Sequence, residues 1–235
     1  MAFPLEKKVL SMKRTPLAER VLPNYTKGEE ICNMVTHIVG GALGILALVL
    51  CPIIGAKHRS AFSVVSGCVY GFCMLVLYSI SSVYHGLSPK LRGKKVLQVL
   101  DHCSIFLLIA GTYTPMALCP IRAHDPVLGW TLFGVIWALA AVGITFNAID
   151  LKKYTTFSMI CYLLMGWLII FRIGLVIQLI GHNGFVLLLL GGIAYTVGAV
   201  LYGLGKKKRY MHSLFHVFVV IGSLLHFFCV IFYVI

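Results

Sequence analysis

The sequence predicts an all-α membrane protein: a bundle of seven transmembrane helices with a cytoplasmic N-terminus and the C-terminus outside. Three observations carry that expectation. The chain of 235 residues is 60% hydrophobic and only 11% charged, whereas soluble domains run near half apolar and a quarter charged. Its apolar residues fall into runs long enough to span a bilayer. Its basic residues gather in alternate gaps between those runs. With a mean hydropathy of +0.95, a soluble core would leave too few polar residues to coat its own surface. The bilayer must be the solvent.

The apolar runs lie near 31–54, 60–86, 98–119, 127–147, 155–178, 184–204 and 211–234. Six basic residues precede the first (Lys7, Lys8, Lys13, Arg14, Arg20, Lys27). Four follow the second (Lys90, Arg92, Lys94, Lys95), two the fourth (Lys152, Lys153) and four the sixth (Lys206, Lys207, Lys208, Arg209). The other side holds Lys57, Arg59 and Arg122. Sixteen against three puts the N-terminus inside by the positive-inside rule. Residues 1–30 then form a basic cytoplasmic segment and residues 31–235 the transmembrane domain. The opening segment lacks an apolar stretch ending in small residues, so no cleavable signal peptide is expected. A multi-pass protein of the plasma (inner) membrane is the expected result.

A net charge of +13 would suggest nucleic acid in a soluble protein. Here topology accounts for it, and no nucleic-acid partner is expected; protein partners are not legible. Eight cysteines include no Cys-x-x-Cys pair, and most fall inside apolar runs, where they read as small hydrophobes. Arg172 lies about 25 Å along the fifth run, close enough to the outer interface to snorkel there. Pro115 should kink the third helix. Gly40 and Gly44 offer a small-residue face for close helix packing.

Ionisable groups inside spans usually face the bundle interior and pair, bind ions or do chemistry. The predicted topology brings four of them to one depth on the cytoplasmic side. His85 ends the second helix, Asp101 begins the third, and His212 and His216 begin the seventh. His212 and His216 are four apart and project from one helical face, as two ligands of one metal require. Ser81 lies one turn deeper than His85 on the same face. Three histidines, a carboxylate and a hydroxyl fit a catalytic zinc site with one open position. The other reading is that the histidines bridge helices by hydrogen bonds or relay protons.

Glu30, Asn33 and His37 share one face of the first helix and offer either support behind the ligands or a helix-packing network. His226 is about 15 Å deeper than His216, too far to share its metal, and reads as interior packing or a hydrogen bond. His102 points about 100° away from Asp101 and reads as an interface residue. His58, His124 and His182 look like loop or interfacial residues, and Asp150 should cap or flank the fourth helix. No HExxH, GxSxG, Walker or dinucleotide motif is present.

Several motifs run together along the chain. They are Glu30-x-x-Asn33-x-x-x-His37-x-x-Gly40, Ser81-Ser82-Val83-Tyr84-His85, and Asp101-His102-Cys103-Ser104-Ile105-Phe106 with Ala110-Gly111-Thr112-Tyr113-Thr114-Pro115. The last is His212-x-x-x-His216 with His226. On these the chain resembles the hemolysin III family, the bacterial branch of the progestin and adipoQ receptor superfamily, over nearly all of residues 25–235. Phe215 stands where many bacterial relatives have tryptophan. The resemblance implies seven helices with a cytoplasmic N-terminus. It also implies zinc: in the adiponectin receptors and alkaline ceramidases three histidines bind it beside an aspartate and a serine. By motif these are His85, His212 and His216, with Asp101 and Ser81.

Three functions follow as expectations. The first is a zinc-dependent (Zn2+) intramembrane hydrolase of a lipid amide or ester, ceramidase-like, with a membrane lipid as substrate or ligand. The second is a non-enzymatic, receptor-like membrane regulator with structural zinc. The third is a cytolytic pore former, disfavoured because no amphipathic segment suits insertion from water.

Overall fold

Seven α segments make up the fold in the computed structural model, which describes residues 15–58, 60–205 and 208–235; no strand occurs among them. Lys7, Lys8, Lys13, Arg14, Arg59, Lys206 and Lys207 of the charge tally lie outside the described residues. Helix α1 (Lys27–Lys57) starts at a capping box. The Thr26 hydroxyl accepts from Glu29 N at 3.2 Å, and Glu29 Oε2 accepts from Thr26 N at 2.8 Å. Helix α2 (Ala61–Gly86) is capped by Ser60. Helix α3 (Arg92–Met116) runs one residue past Pro115, then widens into a π turn (Ala117–Ile121) that contains Pro120. Neither proline can donate the next helical hydrogen bond, so the expected kink takes the form of this wider turn. The one-turn α4 (Arg122–His124) leads into α5 (Pro126–Trp167). A 3-10 turn (Leu168–Arg172), α6 (Ile173–Leu204) and α7 (Met211–Cys229) follow. Arg172 is exposed at the end of the 3-10 turn.

Five stretches are long and apolar enough to cross a membrane: Lys27–Lys57, Ala61–Gly86, Arg92–His124, Pro126–Leu204 and Met211–Val234. The fourth has 79 residues, about 120 Å if straight, against a hydrocarbon core of about 30 Å. It does not run straight. Asp150 is extended (φ −156°, ψ 96°) and Gly181 is left-handed (φ 70°), a conformation glycine adopts without steric cost. Side chains on either side of each break meet. The Ser158 hydroxyl donates to Asn147 Oδ1 at 2.5 Å, and Trp167 Nε1 donates to Thr196 Oγ1 at 3.0 Å. The chain therefore doubles back at both positions.

The burial pattern is that of a protein dissolved in lipid. Val39, Phe72, Val200 and Phe232 are exposed, while Asn33, Ser66, Asn147 and Ser223 are fully buried. Inside, α1 packs along α2 at its glycines. A Cβ on Gly44 would lie 2.9 Å from Leu75 N, and one on Gly40 would strike the Tyr78 ring. The Tyr78 hydroxyl donates to Ser223 Oγ at 2.7 Å, and Tyr195 meets that same oxygen at 2.7 Å, joining α2, α6 and α7.

Residues 15–25 cross one end of the bundle as a strap. Asp150 Oδ2 accepts from Thr15 N (3.1 Å) and Thr15 Oγ1 (2.6 Å), Arg20 donates to Ile149 O (3.2 Å), and Lys95 donates to Ala18 O (2.6 Å). Asp150 also caps the second leg of α5, accepting from Lys153 N at 3.1 Å.

Two outcomes follow. Gly44→Val forces α1 off α2 and should cost about 1–3 kcal/mol, read as earlier unfolding in detergent; Gly93→Ala, which meets nothing within 4 Å, should not. Asp150→Ala removes charge-assisted bonds to the strap, so trypsin cleavage at Arg20 should rise by about tenfold in limited proteolysis of the folded protein.

Candidate metal centre

The strapped end of the bundle gathers the polar residues singled out from the sequence. His85, at the last turn of α2, is buried, and its Nδ1 lies 2.6 Å from Glu30 Oε2. A carboxylate only accepts, so Nδ1 carries the proton and Nε2 presents a lone pair. That Nε2 is buried and has no hydrogen-bond partner.

His212 and His216 come from the first turns of α7. The position of that helix is fixed from α1: Glu29 Oε1 accepts from Tyr210 N at 2.8 Å, and Tyr210 takes a left-handed turn (φ 60°) into the helix. The four-residue spacing then turns both rings one way, and their Nε2 atoms face each other at 3.1 Å. One ligand nitrogen from each of His85, His212 and His216 lies within 4.8 Å of the others. Tetrahedral zinc at about 2.1 Å from each nitrogen requires separations of about 3.4 Å. Three imidazoles, an unpartnered Nε2 among them and a carboxylate behind one ring, fit a divalent zinc-type cation, so the triad could hold a metal.

The expected supporting residues surround the triad. His37 stacks on His216 with ring centroids 3.7 Å apart, and neither of its buried nitrogens has a partner. Asn33 Nδ2 lies 3.4 Å from His85 Nδ1. Asp101 and Ser81 join His37 and His216 in the wall of a cavity of about 130 Å³ whose remaining lining is largely apolar. The Ser81 hydroxyl is buried without a partner. On its other side His212 borders an open pocket of about 440 Å³ with Asn24, Glu29 and Arg209; Tyr202 borders both spaces. His212 thus faces an open pocket with charged walls and His216 an apolar cavity.

Some placements differ from the sequence reading. His102 does not turn away to an interface. It lines the same cavity as Asp101, with Nδ1 3.6 Å from Asp101 Oδ2 and Nε2 3.2 Å from the Tyr202 hydroxyl. Helical spacing separates the two side chains at their roots, yet a long ring and a flexible carboxylate still meet. Lys94 is no loop charge: it is 2% exposed and its Nζ donates to Glu30 Oε1 at 2.5 Å. Tyr25, which carries no periodic signal, stacks over His212 at 4.8 Å and 19°. Burial, with nearby acidic groups, pushes its phenol well above the usual range. His226 stays apart, its Nε2 3.0 Å from Leu188 O.

The chain matches the family model described as "Haemolysin-III related" over residues 25–227. It is 44% identical to "Hemolysin-3" of Bacillus cereus over 207 residues, covering 88% of this chain and 92% of that protein. It is 42% identical to "Hemolysin-3 homolog" of Bacillus subtilis (strain 168), covering 89% and 96%. A 26% match to "Monocyte to macrophage differentiation factor" of Homo sapiens covers 92% and 88%. The distant match agrees with the wider progestin and adipoQ receptor superfamily to which the motifs pointed. The chain belongs to the haemolysin-III-related family and is a multi-pass membrane protein.

Proposed function

We propose that this protein is a zinc-dependent intramembrane hydrolase of a lipid amide or ester. The supporting observation is the shared cavity wall: His216 of the candidate triad, Asp101 and Ser81 all face one largely apolar space. Zinc held by His85, His212 and His216 would supply a Lewis acid and lower the pKa of water toward about 7. The chain's own groups would do the rest. Asp101, 3.6 Å from His102, takes a proton from the attacking water on its carboxylate. The Ser81 hydroxyl donates to the substrate carbonyl oxygen. Leu77, Ile105 and Val219 take up the acyl chain, and the polar pocket beside His212 admits water.

The bundle is read as seven spans, with the doubled-back stretch Pro126–Leu204 contributing three. Residues 1–30 form the cytoplasmic segment, residues 31–235 the membrane domain, and the plasma membrane is its location. The C-terminus then lies outside.

A second reading has one observation in its favour. Glu29 and Glu30 tie α1 to the start of α7 and to His85, so zinc there would act as a structural clasp in a non-enzymatic regulator. Haemolysis is what the names of two relatives suggest; lysis of red cells by purified protein, unaffected by Asp101→Asn, would favour that activity.

Purified protein should carry one zinc per chain, and His212→Ala with His216→Ala should lose it. Retention of zinc by that variant overturns the site. Asp101→Asn should keep zinc and thermal stability but lose hydrolysis of a lipid amide or ester by at least about 100-fold. A clasp instead predicts that stripping zinc lowers the melting temperature and Asp101→Asn changes nothing else.

The topology is tested in a chain with its native cysteines replaced. An impermeant thiol reagent added to intact cells should label His182→Cys and spare Lys152→Cys; the opposite pattern overturns the assignment.

A further inference from the structure

We infer that Lys94 is a positioning residue for the metal centre, holding the Glu30 carboxylate in the orientation that presents His85 Nε2 to the ion. The inference rests on His85, His212 and His216 being zinc ligands.

Lysine is almost never buried this deeply without a partner. Lys94 is 2% exposed, and the structure uses two of its three N–H donors: one on Glu30 Oε1 at 2.5 Å, one on Leu87 O at 2.8 Å. The ammonium also stands 5.1 Å from the centre of the Tyr84 ring. Glu30 is therefore gripped at both oxygens, Oε1 by Lys94 from α3 and Oε2 by His85 Nδ1 from α2.

That double grip has a chemical consequence. With Oε1 fixed, the carboxylate cannot rotate about its terminal bond, and Oε2 stays aimed at Nδ1 at 2.6 Å. The bond sets the His85 tautomer and ring plane and makes Nε2 a better donor. Without Lys94, Glu30 would be a partly buried carboxylate lacking its cation, which is unfavourable. It would turn toward water or take up a proton, and in either case its hold on His85 would weaken. Lys90, exposed four residues earlier, has no such connection.

Lys94 also ties down Leu87 O, so the test must separate positioning from folding. Zinc affinity is measured by competition titration on the full-length chain in micelles, for the unaltered protein and for Lys90→Met, Lys94→Met, Glu30→Gln and Lys94→Met/Glu30→Gln. Loss of such outer partners costs about 10–100-fold in metal affinity. Lys94→Met should weaken zinc binding by about tenfold, and Lys90→Met should leave it unchanged. The double variant should bind no more weakly than Glu30→Gln alone, because both changes break one relay. It also lacks the unpaired carboxylate, so this comparison stands even where Lys94→Met alone misfolds. Cobalt-loaded Lys94→Met should shift its visible d–d bands relative to the unaltered protein as the His85 ring turns. Unchanged affinity in Lys94→Met overturns the inference, as do effects of the two substitutions that add in full. Failure of the unaltered chain to bind zinc overturns the zinc reading and this inference with it.

Discussion

Glu29 and Glu30, neighbours in the first turn of α1, join that helix to three others. Successive residues on a helix diverge by about 100°, so the two carboxylates reach different partners. Glu29 closes the capping box at Thr26 and takes the backbone N–H of Tyr210, where α7 begins. Glu30 takes His85 of α2 and Lys94 of α3. In lipid, helices gain little from hydrophobic burial against one another, so packing and polar contacts must fix their mutual positions. Charge-assisted bonds are about twice as strong as neutral ones. Two side chains thereby set the heights at which His85 and His212 face each other.

Much of this was legible from the residues. Composition and apolar runs identified the helices, and the two reversals at Asp150 and Gly181 fall between runs already separated by polar residues. The predicted topology puts His85, His212, His216 and Asp101 at one depth, with Ser81 one turn deeper; in the structure the three histidines converge, and Asp101 and Ser81 share a cavity wall with His216. What depth and periodicity do not fix is azimuth between helices and the reach of long side chains. Lys94 counted as one more loop cation, although its four-carbon stem lets it turn inward beneath Tyr84. Helical angle alone points His102 away from Asp101, but an imidazole and a carboxylate on adjacent residues can still approach to 3.6 Å. Tyr25 lies before α1 in an irregular segment, where no period exists to read.

That irregular segment completes the site. The strap from Thr15 to Tyr25 is tied to the Asp150 corner, to Ile149 O and to Lys95 before its last aromatic ring settles on His212. A phenol kept protonated by burial covers the ring without adding charge. Were the strap absent, the face of His212 that Tyr25 covers would also open to water, and the electrostatic interactions of the cluster would weaken in the higher dielectric.

On the proposed hydrolase reading, the location of the triad follows from what it must reach. Hydrolysis needs water, a scissile carbonyl and, for a lipid, shelter for the acyl chain, and these come from different solvents. A site at the bilayer centre would have lipid but no water; one in a loop would have water but no apolar cavity. His212 borders the polar pocket with Asn24 and Arg209, while His216, one turn further in, borders the apolar cavity with Asp101 and Ser81. A single turn of α7 thus spans the boundary between the two environments. Two histidines four residues apart would let one ion contact both, because that spacing is close to one turn of the helix on which the boundary falls.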